Sequence, residues 1–214
     1  MAIRVHLTDD HAVFRDGLRM LLECHEDIAV VGSAGDGRQA VEDVLALRPD
    51  IAVMDIAMPL LNGIEATARI REEAPAVRVI VLSMHETSEH VFRALRAGAR
   101  GYLLKSSAGE EVVQAIRAVH QGRRYLSSQI TETVIKDYLV AGHPASPLDS
   151  LSQREREIAQ HVAEGKTSAQ IAELLSLSPK SVESYRSRLM EKIGVEDVPG
   201  LVKFAIAHGL TSLD

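Results

Sequence analysis

The chain has 214 residues, of which 46% are hydrophobic and 25% charged, with a formal net charge of −6. That balance excludes a disordered chain, and an acidic total excludes a protein that is basic all over; any contact with nucleic acid must rest on local positive charge. Aromatics are 3% with no Trp, which weakens an aromatic-lined ligand pocket or a base-stacking platform. The single Cys24 forbids an internal disulfide and reads as a small buried hydrophobe on a helix. No run approaches the roughly 18 apolar residues of a membrane span, and no signal peptide opens the chain, so a cytoplasmic location is expected.

From residue 1 to about 121, short β-rich runs alternate with segments of helical periodicity. The predicted strands are Ile3–Leu7, Ile28–Val31, Ile51–Met54, Val77–Leu82 and Tyr102–Leu104. The predicted helices are Val13–Leu22, Ala40–Leu47, Ile64–Ile70, Val91–Leu95 and Val112–Val119. Five βα repeats imply a parallel, doubly wound sheet with helices on both faces. Gly32-Ser-Ala-Gly-Asp-Gly37 fits neither G-x-G-x-x-G nor the Walker spacing and reads as a plain loop, and Asn62-Gly63 as a turn before a helix.

Residues 122–148 read as a linker that contains a helix at about 125–140 and ends in the breaker-rich Ala141-Gly-His-Pro-Ala-Ser-Pro147. The remainder, 149–214, is helical and strand-free. Ser152 and Glu155 form a capping box, and Gly165 ends the helix they open. A short helix is expected over Ser168–Leu175, and Ser178-Pro179 starts another that Gly194 stops. A last helix runs from about Pro199 to His208, before Gly209.

In an open parallel sheet, ligands bind beyond the carboxyl ends of the strands. There the first domain places Asp9 and Asp10, Asp55, Ser83 and Lys105. Any one such Asp is ordinarily a turn residue. Three carboxylates aimed at one point repel unless a cation joins them, and hard oxygen donors suit Mg²⁺. A carboxylate is a competent nucleophile toward phosphorus when a divalent cation and an ammonium neutralise the incoming charge. The nine His residues show no metal-site spacing, and no hydrolase motif is present.

The acidic pair, Met54-Asp-Ile-Ala-Met-Pro-Leu-Leu-Asn-Gly63, Val81-Leu-Ser83 and Gly101-Tyr-Leu-Leu-Lys105 resemble the motifs of a response-regulator receiver domain. The resemblance implies a flavodoxin-like five-stranded sheet of order 2-1-3-4-5. It makes Asp55 the phosphoacceptor; Asp10, Asp55 and the backbone carbonyl of Ala57 the Mg²⁺ ligands; and Asp9 a ligand through water. Ser83 and Lys105 would hold phosphoryl oxygens, and Tyr102 would be the aromatic that changes rotamer. Ala57 and His85 depart from the wider pattern and are expected to tune phosphoryl lifetime. Ser106 stands where many receivers carry proline, so a cis Lys-Pro bond cannot hold the last loop.

In the second domain, Val182, Tyr185, Leu189 and Ile193 form an apolar stripe on a helix whose Lys180, Arg186, Arg188 and Lys192 outnumber its acids. On spacing alone a solvated amphipathic helix is as good a reading as a recognition helix. Leu151-Ser-Gln-Arg-Glu-Arg-Glu-Ile158, Gly165-Lys-Thr-Ser-Ala-Gln-Ile-Ala172 and Ser178-Pro-Lys-Ser-Val-Glu-Ser-Tyr-Arg186 resemble the LuxR-type DNA-binding domain, an all-α four-helix helix-turn-helix unit. The whole chain thus resembles a two-component regulator of the NarL/FixJ type.

That resemblance implies phosphate contacts from Lys180, Ser181, Tyr185 and Arg188, and base contacts from Glu183, Ser184 and Ser187. It also implies a sensor histidine kinase as phosphoryl donor, double-stranded promoter DNA as target, a homodimer on DNA joined through the last helix, and no enzymatic turnover. No membrane partner is expected, nor a small-molecule substrate beyond phosphoryl donors. Ser176 occupies a turn position usually held by glycine. An aspartate-nucleophile phosphatase is the main rival, but it needs D-x-D where this chain has Asp55-Ile-Ala57. A ligand-sensing LuxR regulator is opposed by the βα repeats and the low aromatic content.

Overall fold

The computed structural model describes residues 2–141 and 147–211, and these form two compact units divided between His143 and Pro144. The breaker-rich stretch 142–146 lies outside the described residues. In the first unit the elements run β1 (Ile3–Thr8), α1 (Ala12–Glu23), β2 (Ile28–Ala34), α2 (Gly37–Leu47), β3 (Ile51–Met54), α3 (Gly63–Glu73), β4 (Arg78–Ser83), α4 (Ser88–Ala97), β5 (Gly101–Leu104), α5 (Glu110–His120), β6 (Tyr125–Leu126) and α6 (Ser128–Ala141). All strand pairs are parallel, in the order β2-β1-β3-β4-β5-β6.

The sheet has one strand more than expected. Tyr125 and Leu126 pair with Gly101 and Tyr102, so two residues of the anticipated linker occupy the β5 edge. Ser127 then donates its backbone N–H to the Tyr102 carbonyl, and Ile130 of α6 is fully buried beside Tyr102, Val91 and Ala94. The segment 122–141 is therefore packed on the first unit. β2 also runs further than its apolar run suggested, through Gly32 to Ala34. A Cβ on Gly32 would come within 2.7 Å of Leu47 Cδ1 and 2.9 Å of His6 Cδ2, so the bare backbone is what lets the strand lie there. Asp36 then caps α2 by accepting from the N–H groups of Arg38 and Gln39.

Period-2 alternation sorts the strand residues onto two faces. Val5, Leu7, Val53, Ile80, Leu82 and Leu103 pack with Leu18 and Leu22 of α1 and with α5. On the other face Ala52, Met54 and Val79 pack with α2 and α3, while Val81, Tyr102 and Leu104 pack with α4 and α6. Each fully buried aliphatic side chain contributes roughly 1.5–3 kcal/mol to holding these layers. Cys24, expected to be buried, is exposed at the end of α1, its thiol donating to the Met20 carbonyl.

The second unit opens with a 3-10 turn at Pro147–Ser150 and contains α7 (Gln153–Ala163), α8 (Ser168–Leu175), α9 (Pro179–Ile193) and α10 (Val198–Ala207). Ile158, Ile171, Val182, Leu189 and Leu201 meet in one core. The Ser152/Glu155 capping box is present, and Lys192 ties α9 to it through both Glu155 oxygens, at 2.9 and 2.7 Å. A second capping box, Thr167 with Gln170, starts α8. Ser176 ends α8 in the left-handed region, with φ +53°.

Candidate functional site

The carboxyl ends of β1 and β3 lie side by side because Asp55 donates its backbone N–H to the Thr8 carbonyl at 2.9 Å. The loop after Asp55 folds back at once. Gly63 donates to the Ile56 carbonyl at 2.8 Å, and Asn62 caps α3 by accepting from the N–H groups of Ile64 and Glu65. A Cβ on Gly63 would stand 1.7 Å from the Asp55 carbonyl oxygen, so only glycine permits this return. Asn62-Gly63 is thus a helix cap joined to a close backbone approach, not merely a turn.

Asp55 is 4% exposed. Its Oδ1 accepts from the Ile56 N–H at 2.7 Å and its Oδ2 from Lys105 Nζ at 2.7 Å. The same ammonium is 2.7 Å from Asp9 Oδ2 and 5.1 Å from the centroid of the Phe14 ring. Burial pushes the Asp55 carboxyl up to about 6; Lys105 opposes this and the Asp9 charge adds to it. Lys105 is pulled down by burial, but its contacts with Asp55 and Asp9 outweigh this and leave it raised. The mutual contact of Asp55 and Lys105 favours the charged form of each.

Asp10 completes the acidic edge with a buried Oδ1. That oxygen lies 2.8 Å from Nδ1 of His11, a residue the sequence reading passed over although it directly follows the acidic pair. His11 also donates its backbone N–H to Asp9 Oδ1 at 2.9 Å. One ligand atom each from Asp9, Asp10, His11 and Asp55 falls within 4.8 Å of the others. Clustered carboxylate oxygens, one of them approached only by the His11 ring, are a donor set that a hard divalent cation satisfies.

Ser83 ends β4 fully buried, and its Oγ accepts from the His85 N–H at 3.0 Å. Tyr102 is also fully buried; its hydroxyl donates to the His85 carbonyl at 2.7 Å, and burial raises its phenol above the usual range. The His85 ring stacks on His90 at 4.3 Å, with burial first and Arg93 second lowering its pKa. Ala57 is half-buried in the folded-back loop. The loop after β5 has no cis peptide. A 3-10 turn over Lys105–Ser107 holds it instead, with Ala108 N–H to the Lys105 carbonyl and Ser107 Oγ to the Leu104 carbonyl, both 3.1 Å.

On α9 the apolar stripe docks as the spacing required, with Val182 and Leu189 buried and Tyr185 and Ile193 packed against the same core. Lys180, Glu183, Ser184, Ser187 and Arg188 are exposed, whereas Ser181, Tyr185 and Arg186 are half-buried. Ser181 is held in the helix start, its N–H donated to Ser178 Oγ at 3.1 Å. Ser184 Oγ donates back to the Lys180 carbonyl at 3.0 Å.

Residues 5–117 match the response regulator receiver domain family, and residues 149–205 match the bacterial regulatory proteins of the luxR family. The chain belongs to the two-component response regulators of the NarL/FixJ type. It is 39% identical over 212 residues to the response regulator UvrY of Escherichia coli, covering 99% of this chain and 97% of that one. It is 35% identical over 215 residues to the oxygen regulatory protein NreC of Staphylococcus epidermidis, covering 97% and 99%. Among solved structures, a LuxR-family response regulator from Aurantimonas superposes with a TM-score of 0.63 at 40% identity, over 65% of this chain and 99% of that one. The response regulator RcsB in complex with DNA superposes with a TM-score of 0.61 at 25% identity, over 97% and 99%. This response regulator thus joins a receiver domain to a LuxR-type DNA-binding domain. No helix among the described residues is long and apolar enough to cross a membrane.

Proposed function

We propose that this regulator accepts a phosphoryl group on Asp55 from a sensor histidine kinase, and that the modified protein dimerises and binds promoter DNA in the cytoplasm through α9. The observation that carries the reading is the Lys105 ammonium held between Asp55 and Asp9 at a buried sheet edge. An ionised Asp55 oxygen forms the new O–P bond, the P–N bond of the phosphohistidine breaks, and the imidazole leaves with that electron pair. Lys105 turns its N–H groups to the incoming oxygens, and the Ser83 hydroxyl donates to another. Each charge-assisted contact is worth roughly 1.5–3 kcal/mol. Together they approach the roughly 5.5 kcal/mol that swings a two-state domain from 1:99 to 99:1.

Asp10, Asp55 and the Ala57 carbonyl would hold Mg²⁺, with Asp9 through water. When bound, the ion neutralises charge on the transferring group. Tyr102 reports the modified state by leaving its hydrogen bond to the His85 carbonyl, and Ala57 and His85 set how long the acyl phosphate survives. On α9, Lys180 and Arg188 take DNA phosphates with help from the half-buried Ser181 and Tyr185, while Glu183, Ser184 and Ser187 face base edges. Residues 1–121 act as the phosphoacceptor domain, 122–148 as the connection that includes β6 and α6, and 149–214 as the DNA-binding domain. RcsB supports the DNA-bound dimer, since it has been solved as dimers on DNA.

Incubation with Mg²⁺ and acetyl phosphate tests the first step. The expected result is a mass gain of one phosphoryl that Asp55→Asn abolishes; steady turnover of free phosphate esters would support a phosphatase instead. Selection from a duplex DNA library with and without the donor tests the second. The donor should increase recovery of one sequence class.

A further inference from the structure

At the opposite edge of the sheet from Asp55, three successive strands begin with arginine. Arg78 is the first residue of β4, Arg100 directly precedes β5, and Arg124 directly precedes β6. The backbone pairs them closely: Arg100 donates its N–H to the Val79 carbonyl at 2.7 Å, and Tyr125 donates to the Arg100 carbonyl at 3.0 Å. These three arginines and Arg71 line a single cavity of about 390 Å³. Among the described residues no carboxylate belongs to its wall.

Two of the guanidiniums are held in place by helix C-termini. Arg71 Nη1 donates to the Arg96 carbonyl at the end of α4, and Arg78 Nη1 to the His120 carbonyl at the end of α5, both at 2.8 Å. Room for Arg71 comes from Gly98, where a Cβ would come within 2.4 Å of Arg71 Cδ. Helix capping accounts for one N–H of each and leaves the rest of each fork available. It does not account for Arg100 and Arg124, exposed like charges at the starts of two paired strands, whose repulsion a bound anion would relieve. Elsewhere in the same domain an exposed arginine, Arg117, is matched by a bidentate carboxylate, Asp27.

We propose that this cavity binds a soluble di- or triphosphate. Guanidinium forks match phosphate oxygens two at a time, and several arginines around one space select a ligand with several phosphates over a single monoanion. The volume falls in the range of roughly 300–1,000 Å³ usual for small-molecule sites, and Pro75, Val77 and Leu95 give one wall an apolar surface for whatever the phosphates carry. The site shares no residue with the acidic edge and does not depend on Asp55.

The test is calorimetric titration of the full-length chain in EDTA, which keeps metal-bridged phosphate from the acidic edge. The probes are inorganic tripolyphosphate, ATP and sulfate at matched ionic strength. One saturable site for tripolyphosphate is expected, with affinity falling about tenfold in Arg100→Gln or Arg124→Gln and about a hundredfold in the double variant. Both side chains are exposed, and an unchanged circular dichroism melt verifies that the variants fold. ATP binding tighter than tripolyphosphate assigns the site to nucleotides; equal or weaker binding assigns it to inorganic chains. No saturable binding at millimolar probe, equal affinity for sulfate, or an affinity unchanged in the double variant overturns the proposal.

Discussion

Gly63 and Asp55 are in backbone contact so close that any β-carbon at 63 would overlap the Asp55 carbonyl oxygen, at 1.7 Å. Relief requires moving the loop that positions Asp55. Gly63→Ala is expected to destabilise the first domain by about 3 kcal/mol or more and to abolish labelling by acetyl phosphate. Gly17→Ala is the control: it lies exposed inside α1 with nothing within 4 Å, and should stabilise by roughly 0.5–1 kcal/mol. Urea denaturation of both variants checks the contrast.

The raised Asp55 carboxyl makes the acidic edge a source of instability without a divalent cation. A carboxyl whose folded pKa lies above its unfolded value favours the folded state fully below the unfolded value, near 3.8, and loses that advantage as pH rises through about 6. At pH 7 without divalent cation, Asp55→Asn should therefore stabilise the domain, by about 3 kcal/mol at most. The gain should vanish below pH 4, and Mg²⁺ should raise the melting temperature of the wild type more than that of the variant. Melting curves across pH, with and without Mg²⁺, decide this.

Much of this geometry was legible beforehand, for identifiable reasons. Asp55 could be picked out because three other strand ends aim four polar groups at the same edge, and the limits of α9 because Ser178-Pro179 and Gly194 are local start and stop chemistry; α8 followed from the room left between Gly165 and Ser178. β6 was hidden because a two-residue strand has no periodicity. The full length of β2 was hidden because Gly32 reads as a breaker when its neighbours, His6 and Leu47, are unknown. Cys24 was misplaced because helical spacing does not say which rim of a stripe a terminal residue occupies. His11 carried a signal, its position directly after two acids, but only its 2.8 Å approach to Asp10 gives that signal weight.

Phosphoryl lifetime should respond to the two residues flanking the acceptor pocket. Replacing Ala57 by Asn offers a group that can orient an attacking water, and replacing His85 by Ala removes the ring stacked on His90. Decay of the acyl phosphate, followed by intact mass, is expected to accelerate several-fold in Ala57→Asn and to change again in the double variant. A lifetime unaffected by both changes would remove these residues from the mechanism.

The proposed DNA contacts on α9 separate by chemistry, cations for phosphates and a carboxylate for a base edge. Lys180→Ala and Arg188→Ala should weaken binding to all duplexes about equally, and each should reduce the slope of log K against log salt by about 1. Glu183→Ala should instead relax preference at one base pair, at a cost of roughly 1–3 kcal/mol for the preferred site. Titrations over a salt series, on preferred and scrambled duplexes, distinguish the two classes.

Ser176 sits at φ +53°, where a side chain is disfavoured. Ser176→Gly should raise the stability of the second domain by about 1 kcal/mol without altering DNA preference, as measured by thermal unfolding.

The short β6 strand and the helix that follows it give α4 a neighbour within its own domain. Because Ile130 is buried against Val91 and Ala94, a tilt of α4 would disturb the packing of α6. The carbonyl of Tyr102 meanwhile anchors Ser127 at the foot of α6. A rearrangement of the β4–α4 region would therefore reach α6 through both contacts. The foot of α6 is thus one hydrogen bond from Tyr102, the residue proposed to change rotamer on phosphorylation.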